Sequence, residues 1–298
     1  MVLSSLRRLL SPLGRPEPST FLKYSFTRRR PEYRPVFATL PPKGLRVKSE
    51  YSTIIVKDAG RRRCLYFHRA SGKIVLESAV LRRAPYALLI PSTQVPMAAL
   101  LLQPEATKVL LVGVGGGGMV HYFQAEHPGI ALDAVDIDIE IISVAQSCFG
   151  IEPSPKLRLH AVDGLSFIEG SDERYEVIFM DSFLKPSAAT DASGTHLRLR
   201  TLDFYRRLAD RLTPQGVAAF NIANVSYVQQ DVALLRQVFP QIWVLTVPRR
   251  ANTMVLASRS EDRVTADELK RRARILDRQV FSLSFRELAA AMSRASAG

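Results

Sequence analysis

The run Val109-Leu110-Leu111-Val112-Gly113-Val114-Gly115-Gly116-Gly117-Gly118 constrains the fold more than any other stretch of the chain. An apolar run of strand length ends abruptly in glycines, and a second apolar run closes on Asp136. Glycine lets the backbone turn sharply and approach a ligand with no Cβ in the way. A helix that follows directs its first amides at whatever is bound. A carboxylate about twenty residues further on suits a pair of ribose hydroxyls. The pattern predicts a strand, a tight loop and a helix that hold an adenosine-type cofactor. The glycines fit both Gly-x-Gly-x-x-Gly (Gly113, Gly115, Gly118) and Gly-x-Gly-x-Gly (Gly113, Gly115, Gly117). The first suits a nicotinamide dinucleotide and the second an S-adenosyl nucleotide, so the loop alone leaves both open.

Around this run, strand-like and helix-like segments alternate. Strands are predicted at 108–112, 132–137, 157–161, 177–181 and 217–222, with helices at 117–127, 140–149, 165–169, 201–212 and 228–239. Segments 243–247 and 252–258 read as a closing pair. Such alternation defines an α/β chain with a doubly wound, Rossmann-like, mostly parallel sheet. Ahead of it, β-rich runs at 51–57, 63–69 and 73–77 are separated by glycine turns and predict a small antiparallel β-meander. One helix is predicted over 95–102, and Thr265-Ala266-Asp267-Glu268 reads as a capping box opening a C-terminal helix. The expected organisation is a basic, disordered extension at 1–48 and a β domain at 49–84. A nucleotide-binding domain at 85–260 and a helical segment at 261–298 follow.

Charge separates the ends from the middle. Of the net +13, residues 1–50 supply +8, from 11 Lys/Arg against Glu17, Glu32 and Glu50. The rest of the chain is therefore ordinary for an enzyme, and the basic tail, with Pro12, Pro16, Pro18, Pro31 and Pro35, cannot fold alone. The tail offers an electrostatic contact to RNA or another anionic partner. Its first fifteen residues are basic and acid-free, which fits a solvated extension first and an organelle presequence second; a cytoplasmic location is the expectation. No run approaches the roughly 18 to 20 apolar residues of a membrane span. Cys64 and Cys148 are too few for a disulfide framework or a cysteine-rich metal site, and the histidines show no metal-ligand spacing, so no metal is expected. Gly-x-Ser-x-Gly is absent, which argues against a hydrolase.

Ligands of an open α/β sheet sit outside the carboxyl ends of its strands. Four features fall there: the loop from Gly113, then Asp136 with Asp138, Asp163-Gly164, and Asp181-Ser182. A carboxylate after the third strand can accept from the adenine amine, and one after the fourth lies at the reactive end of an S-adenosyl nucleotide. Aspartates after strands also cap helices, and Asp138 is read as such a cap.

With LLVGVGGGGMV, AVDID, AVDG and YEVIFMDSF in this order, the chain resembles the spermidine synthase family of aminopropyltransferases and their methyltransferase-like relatives. The resemblance runs from about Tyr51 to Ser258. It implies S-adenosylmethionine, or its decarboxylated form, as cofactor, with Gly113, Gly115, Gly116, Gly117, Asp136, Asp163 and Gly164 in its site. It implies Asp181 as the acid at the reaction centre, and a homodimer as the common form of such enzymes. Spermidine synthases carry an aspartate where this chain has Gly116, and a second acid where it has Leu184. Their amine-site tyrosine is replaced within Pro248-Arg249-Arg250-Ala251. A fixed like charge beside a desolvated ammonium costs on the order of several kcal/mol. Arg249 and Arg250, with Ser182 as acceptor-side candidates, thus disfavour putrescine. Gly116 leaves room for the carboxylate of intact S-adenosylmethionine, held by backbone amides. HAVDGLSFIE and its neighbours are also similar to the C-terminal domain of enzymes that methylate a translation elongation factor. The expected function is methyl transfer to a small-molecule or protein acceptor, with polyamine biosynthesis by aminopropyl transfer the alternative. A non-catalytic scaffold is a second alternative, and a nicotinamide dehydrogenase a distant third.

Overall fold

The computed structural model describes residues 33–68, 72–183, 187–191, 194–223, 225–248, 252–280 and 282–295. Seven strands form the central sheet: β5 (Lys108–Val112), β6 (Ala131–Asp136), β7 (Leu157–Ala161), β8 (Tyr175–Met180), β9 (Leu212–Ile222), β10 (Gln241–Thr246) and β11 (Thr253–Ser258). Their order is β10-β11-β9-β8-β5-β6-β7. Strands β5 to β9 run parallel, and β11 inserts antiparallel between β9 and β10. The expected closing pair is therefore a strand pair whose second member sits inward. Order reverses between β5 and β8, which opens a crevice at their carboxyl ends.

Strand period explains the two layers. Val109 and Leu111 face one core with the helices Gly118–Glu126, Ile139–Phe149, Ala266–Gln279 and Phe285–Ala295. Leu110 and Val112 face the other, with Gly164–Gly170, Leu202–Asp210 and Val228–Leu235. Val109, Leu110 and Leu111 are each fully buried, so both faces of this strand are covered, as a parallel sheet requires. At roughly 1.5–3 kcal/mol per buried aliphatic side chain, this strand anchors the glycine loop that it carries.

The meander has four strands, β1 (Leu45–Lys48), β2 (Thr53–Ala59), β3 (Arg62–His68) and β4 (Ile74–Leu81), each antiparallel to the next. Strand β1 lies inside the segment that composition assigned to a disordered extension, so that boundary is corrected. Residues 33–40 are also packed. Tyr33 Oη meets His121 Nδ1 at 2.6 Å, and Phe37 stacks on the same ring at 5.9 Å. Aromatic contacts outweigh the prolines there. Residues 1–32, the rest of the expected extension, lie outside the described part.

Arg63 ties three elements together. Its guanidinium, only 1% exposed, donates to Asp58 at 2.9 and 3.0 Å, to Ala38 O at 2.8 Å and to Cys148 O at 2.5 Å. The last carbonyl belongs to a helix C-terminus, where a cation is favoured.

Other boundaries moved for local reasons. The helix expected at 95–102 is a series of turns, Pro91–Gln94, Val95–Ala98 and Ala99–Leu102, because Pro96 removes an amide donor. Strand β9 begins at Leu212 because its register with β8 shifts between Tyr175 and Val177, which accommodates Pro214. Thr265 caps its helix through Glu268 N at 3.2 Å, while Glu268 turns to Arg271 and Arg272.

Candidate functional site

The crevice at the strand reversal is a cleft of about 300 Å³. Its floor is the loop after β5 with the ends of β6 and β8; its roof is β4 of the meander, through Glu77 and Ser78. The loop residues Gly113, Gly115 and Gly117 have φ of 103°, 53° and 70°, a region closed to most side chains. A Cβ on Gly113 would lie 2.1 Å from the Asp181 carbonyl oxygen, and one on Gly164 2.5 Å from Val112 Cγ1. These glycines let two strand ends close on each other.

Most loop amides are engaged within the protein. Gly113 N donates to Val135 O at 2.8 Å, Val114 N to Asp136 Oδ2 at 2.9 Å and Gly117 N to Val114 O at 2.9 Å. Gly116 N donates to Ser78 Oγ at 2.9 Å. The Gly116 amide is thus held by β4, which takes it out of the set of backbone amides open to a ligand carboxylate. A Cβ at Gly116 would stand 2.9 Å from Ser78 Cβ and 3.0 Å from the Phe149 ring. Position 116 therefore packs against the roof and a core ring, without the space a larger side chain needs.

The four sequence-predicted carboxylates converge. Asp136, Asp138, Asp163 and Asp181 all line the cleft. Asp136 accepts from Val114 N and, at 3.1 Å, from Asp138 N. Burial raises its pKa against the pull of these amides. Asp138 caps its helix by accepting from Glu140 N at 3.0 Å, and Ser49 Oγ donates to it at 2.5 Å. Asp163 caps the helix Gly164–Gly170 through Ser166 N and also pairs with Arg198 at 3.2 Å.

Asp181 is set differently. Its Oδ1 accepts from Asn221 Nδ2 at 2.7 Å, and Asn221 Oδ1 in turn accepts from Asn252 Nδ2 at 2.8 Å. Burial pushes its pKa up to about 7; the Asn221 bond pulls it down and the nearby Glu77 charge pushes it up. A carboxyl with that pKa can take or give a proton near neutrality.

Sequence reasoning missed Glu77, Ser78, His196, Asn221 and Asn252, all of which line the cleft. Asn221, next to last in β9, lies at the same carboxyl edge as the aspartates, so the strand-end rule extended to amides would have found it. His196 and Leu199 reach the cleft from a segment anchored by Arg200. That guanidinium, 8% exposed, pairs with Asp191 at 2.7 Å and with Asp231, and stacks over the Tyr227 ring at 4.1 Å. Ser182 also lines the cleft. Arg249, Arg250 and Leu184 lie outside the described residues. Among the described residues, no group of three or more His, Cys, Asp or Glu side chains is arranged to hold a metal ion. No helix there is long and apolar enough to cross a membrane.

A seven-stranded sheet with one inserted antiparallel strand, a glycine loop at the reversal and a meander roof defines the class as a nucleotide-binding α/β protein with its cleft at the strand ends. Residues 93–267 match the spermine/spermidine synthase domain, and the chain belongs to that family. It is 25% identical over 217 residues to the polyamine aminopropyltransferase of Vibrio vulnificus, covering 71% of this chain and 70% of that protein. It is 29% identical over 192 residues to the eEF1A lysine and N-terminal methyltransferase of Bos taurus, covering 60% of this chain. Of that methyltransferase's own length the match spans only 27%. Among solved structures, human methyltransferase-like protein 13 in complex with SAH is similar at 27% identity and a TM-score of 0.54, over 63% of this chain and 87% of that one. A probable spermidine synthase from Corynebacterium glutamicum aligns over 85% of this chain and 95% of that one, with a TM-score of 0.64 and 18% identity, and shares the fold.

Proposed function

We propose that the chain transfers a methyl group from S-adenosylmethionine to an amine-bearing small molecule or protein. The carrying observation is position 116. A spermidine synthase needs an acid there to hold its cationic donor; here a glycine is closed in by Ser78 and Phe149. The residues present fit an S-adenosyl nucleotide. Gly113 and Gly115 would clear the nucleotide path, while Gly117 turns the loop into its helix against Ile151; Asp136 would accept from the ribose, and Asp163 with Gly164 would border the adenine. The engaged amides favour this nucleotide over a dinucleotide, whose pyrophosphate asks for free ones.

When bound, S-adenosylmethionine supplies an electrophilic methyl on its sulfonium. The protein's part is alignment and proton handling. The cleft walls hold the acceptor nitrogen in line with the transferred group, which is worth several kcal/mol of barrier. Asp181 accepts the proton that leaves the acceptor ammonium, with the electron pair remaining on nitrogen. Ser182 and His196 border the acceptor. Arg249 and Arg250 remain acceptor-side candidates of the same proposal.

Aminopropyl transfer from decarboxylated S-adenosylmethionine is the second reading, favoured by Glu77, which puts another acid beside Asp181. Calorimetry with both donors discriminates. S-adenosylmethionine is expected to bind in the micromolar range, and Asp136→Ala is expected to abolish that binding. Unchanged binding in the variant overturns the cofactor assignment. Spermidine detected by mass spectrometry after incubation with the decarboxylated donor and putrescine overturns methyl transfer in favour of the second reading.

A further inference from the structure

We infer that Asn221 and Asn252 form a positioning relay that fixes one oxygen of Asp181 as an acceptor and reserves the other for proton transfer. A carboxamide presents an acceptor oxygen on one side and a donor nitrogen on the other. Asn252 can offer its Nδ2 to Asn221 only if Asn221 turns its oxygen toward it, which leaves Asn221 Nδ2 facing Asp181. The distances, 2.8 and 2.7 Å, are those of two full hydrogen bonds. Asp181 Oδ1 therefore accepts in either protonation state, and the titrating proton resides on Oδ2. Among the described residues, Oδ2 has no hydrogen-bond partner.

Both amides also line the cleft, and each ends or opens a strand: Asn221 lies near the end of β9, and Asn252 immediately precedes β11. Strand pairing fixes their separation, because Ile222 lies opposite Thr253 across the β9–β11 ladder. A relay built on two paired strands holds its geometry better than one on loops. Other titratable groups line the same cleft, namely Tyr51 and Glu77 from the meander side, Asp136 and Asp138 at and after the end of β6, Asp163 after β7 and His196 from the overlying segment. Of these, Glu77 is the one whose charge acts on Asp181. A carboxylate neighbour disfavours ionisation, and the Asn221 donor offsets it.

In the proposed reaction, Oδ2 takes the proton from the acceptor ammonium: an N–H bond breaks, an O–H bond forms on Oδ2, and the lone pair stays on nitrogen. This catalytic consequence rests on the methyl-transfer reading, whereas the proton's location does not. The test accordingly needs no acceptor. Carboxyl 13C NMR titration of the full chain follows Asp181, identified by the signal lost in Asp181→Asn. In Asn221→Leu the Asp181 midpoint is expected to move upward by about one pH unit, a tenfold change in its ionisation constant. Asn252→Ala, which frees the Asn221 amide to turn, is expected to move it in the same direction by less. If Asn221→Leu does not fold, Asn252→Ala carries the test alone. Unmoved titration in a folded variant overturns the relay and leaves the amides a packing role. Absence of donor binding in the wild type, with the titration shifts intact, would instead overturn the proposed function and spare the relay. Once an acceptor is found, the acid limb of the rate profile must move with the NMR midpoint.

Discussion

Replacing Asp181 by asparagine is expected to stabilise the protein, increasingly as pH rises above the value at which the acid ionises in the unfolded chain. The carboxyl has a folded-state pKa of about 7 against an ordinary 3.8, chiefly through burial. Between these values the folded chain holds a proton that the unfolded chain has released. Stability therefore falls as pH rises through that window. At about 1.4 kcal/mol per pH unit, the full displacement is on the order of 4 kcal/mol. The part between pH 5 and pH 8 is on the order of 2 to 3 kcal/mol, and residual solvent contact through the cleft mouth brings it to about 2 kcal/mol. Asparagine keeps an oxygen to accept from Asn221 and cannot ionise. Urea unfolding of both proteins at pH 5, 6.5 and 8 measures the difference. The advantage of Asp181→Asn should grow by about 2 kcal/mol from pH 5 to pH 8, with most of the gain below pH 7. A difference independent of pH, or a variant weaker than wild type at pH 8, would refute the reasoning.

Three further substitutions probe the frame around that acid. Gly116→Asp should destabilise by roughly 1–3 kcal/mol through overpacking against Ser78 and Phe149. It should not improve affinity for decarboxylated S-adenosylmethionine in calorimetry; a tighter complex without lost stability would show that position 116 opens on the cleft. Gly113→Ala combines a φ of 103° with a contact 2.1 Å from the Asp181 carbonyl, so a loss above about 3 kcal/mol in thermal unfolding is expected. Arg63→Leu leaves Asp58 only its longer pairing with Arg82 and strands two carbonyls, at about 3 kcal/mol. Limited proteolysis should then cut within residues 33–62 before the central sheet, and an unchanged digestion pattern would count against the linking role.

The parallel sheet was legible because its strands are buried on both faces and read as unbroken apolar runs closed by glycine or aspartate. Strand β5 and strand β7 fall at the predicted residues. The convergence of Asp136, Asp163 and Asp181 followed from one topological rule. What stayed hidden depends on contacts between segments distant in sequence. Tyr33 and Phe37 sit in a proline-rich, basic stretch with no periodicity, and residues distant in sequence, among them His121, Gln124 and Arg63, order them. That histidine has its pKa pushed down to about 3 by burial, consistent with a neutral core group. The Gly116 environment was misread because motif comparison names the missing acid and cannot name the Ser78 and Phe149 that fill its place. Asn221 carries a strand-end position that an extended rule would read, but its bond to Asn252 was invisible, since that partner carries neither charge nor spacing that marks it.

The hydrogen bond from Gly116 to Ser78 also bears on how such a protein can change over evolutionary time. The family match begins at residue 93, yet Glu77 and Ser78 precede it and close the cleft from above. Substitutions in one hairpin could thus re-tailor what the cleft admits, while the strand-end glycines and aspartates that advertise kinship stay as they are. A shortened chain keeping only the matched segment would retain every motif and lose a wall. Two proteins with the same signatures could then accept different partners, and the divergence would be written in the roof.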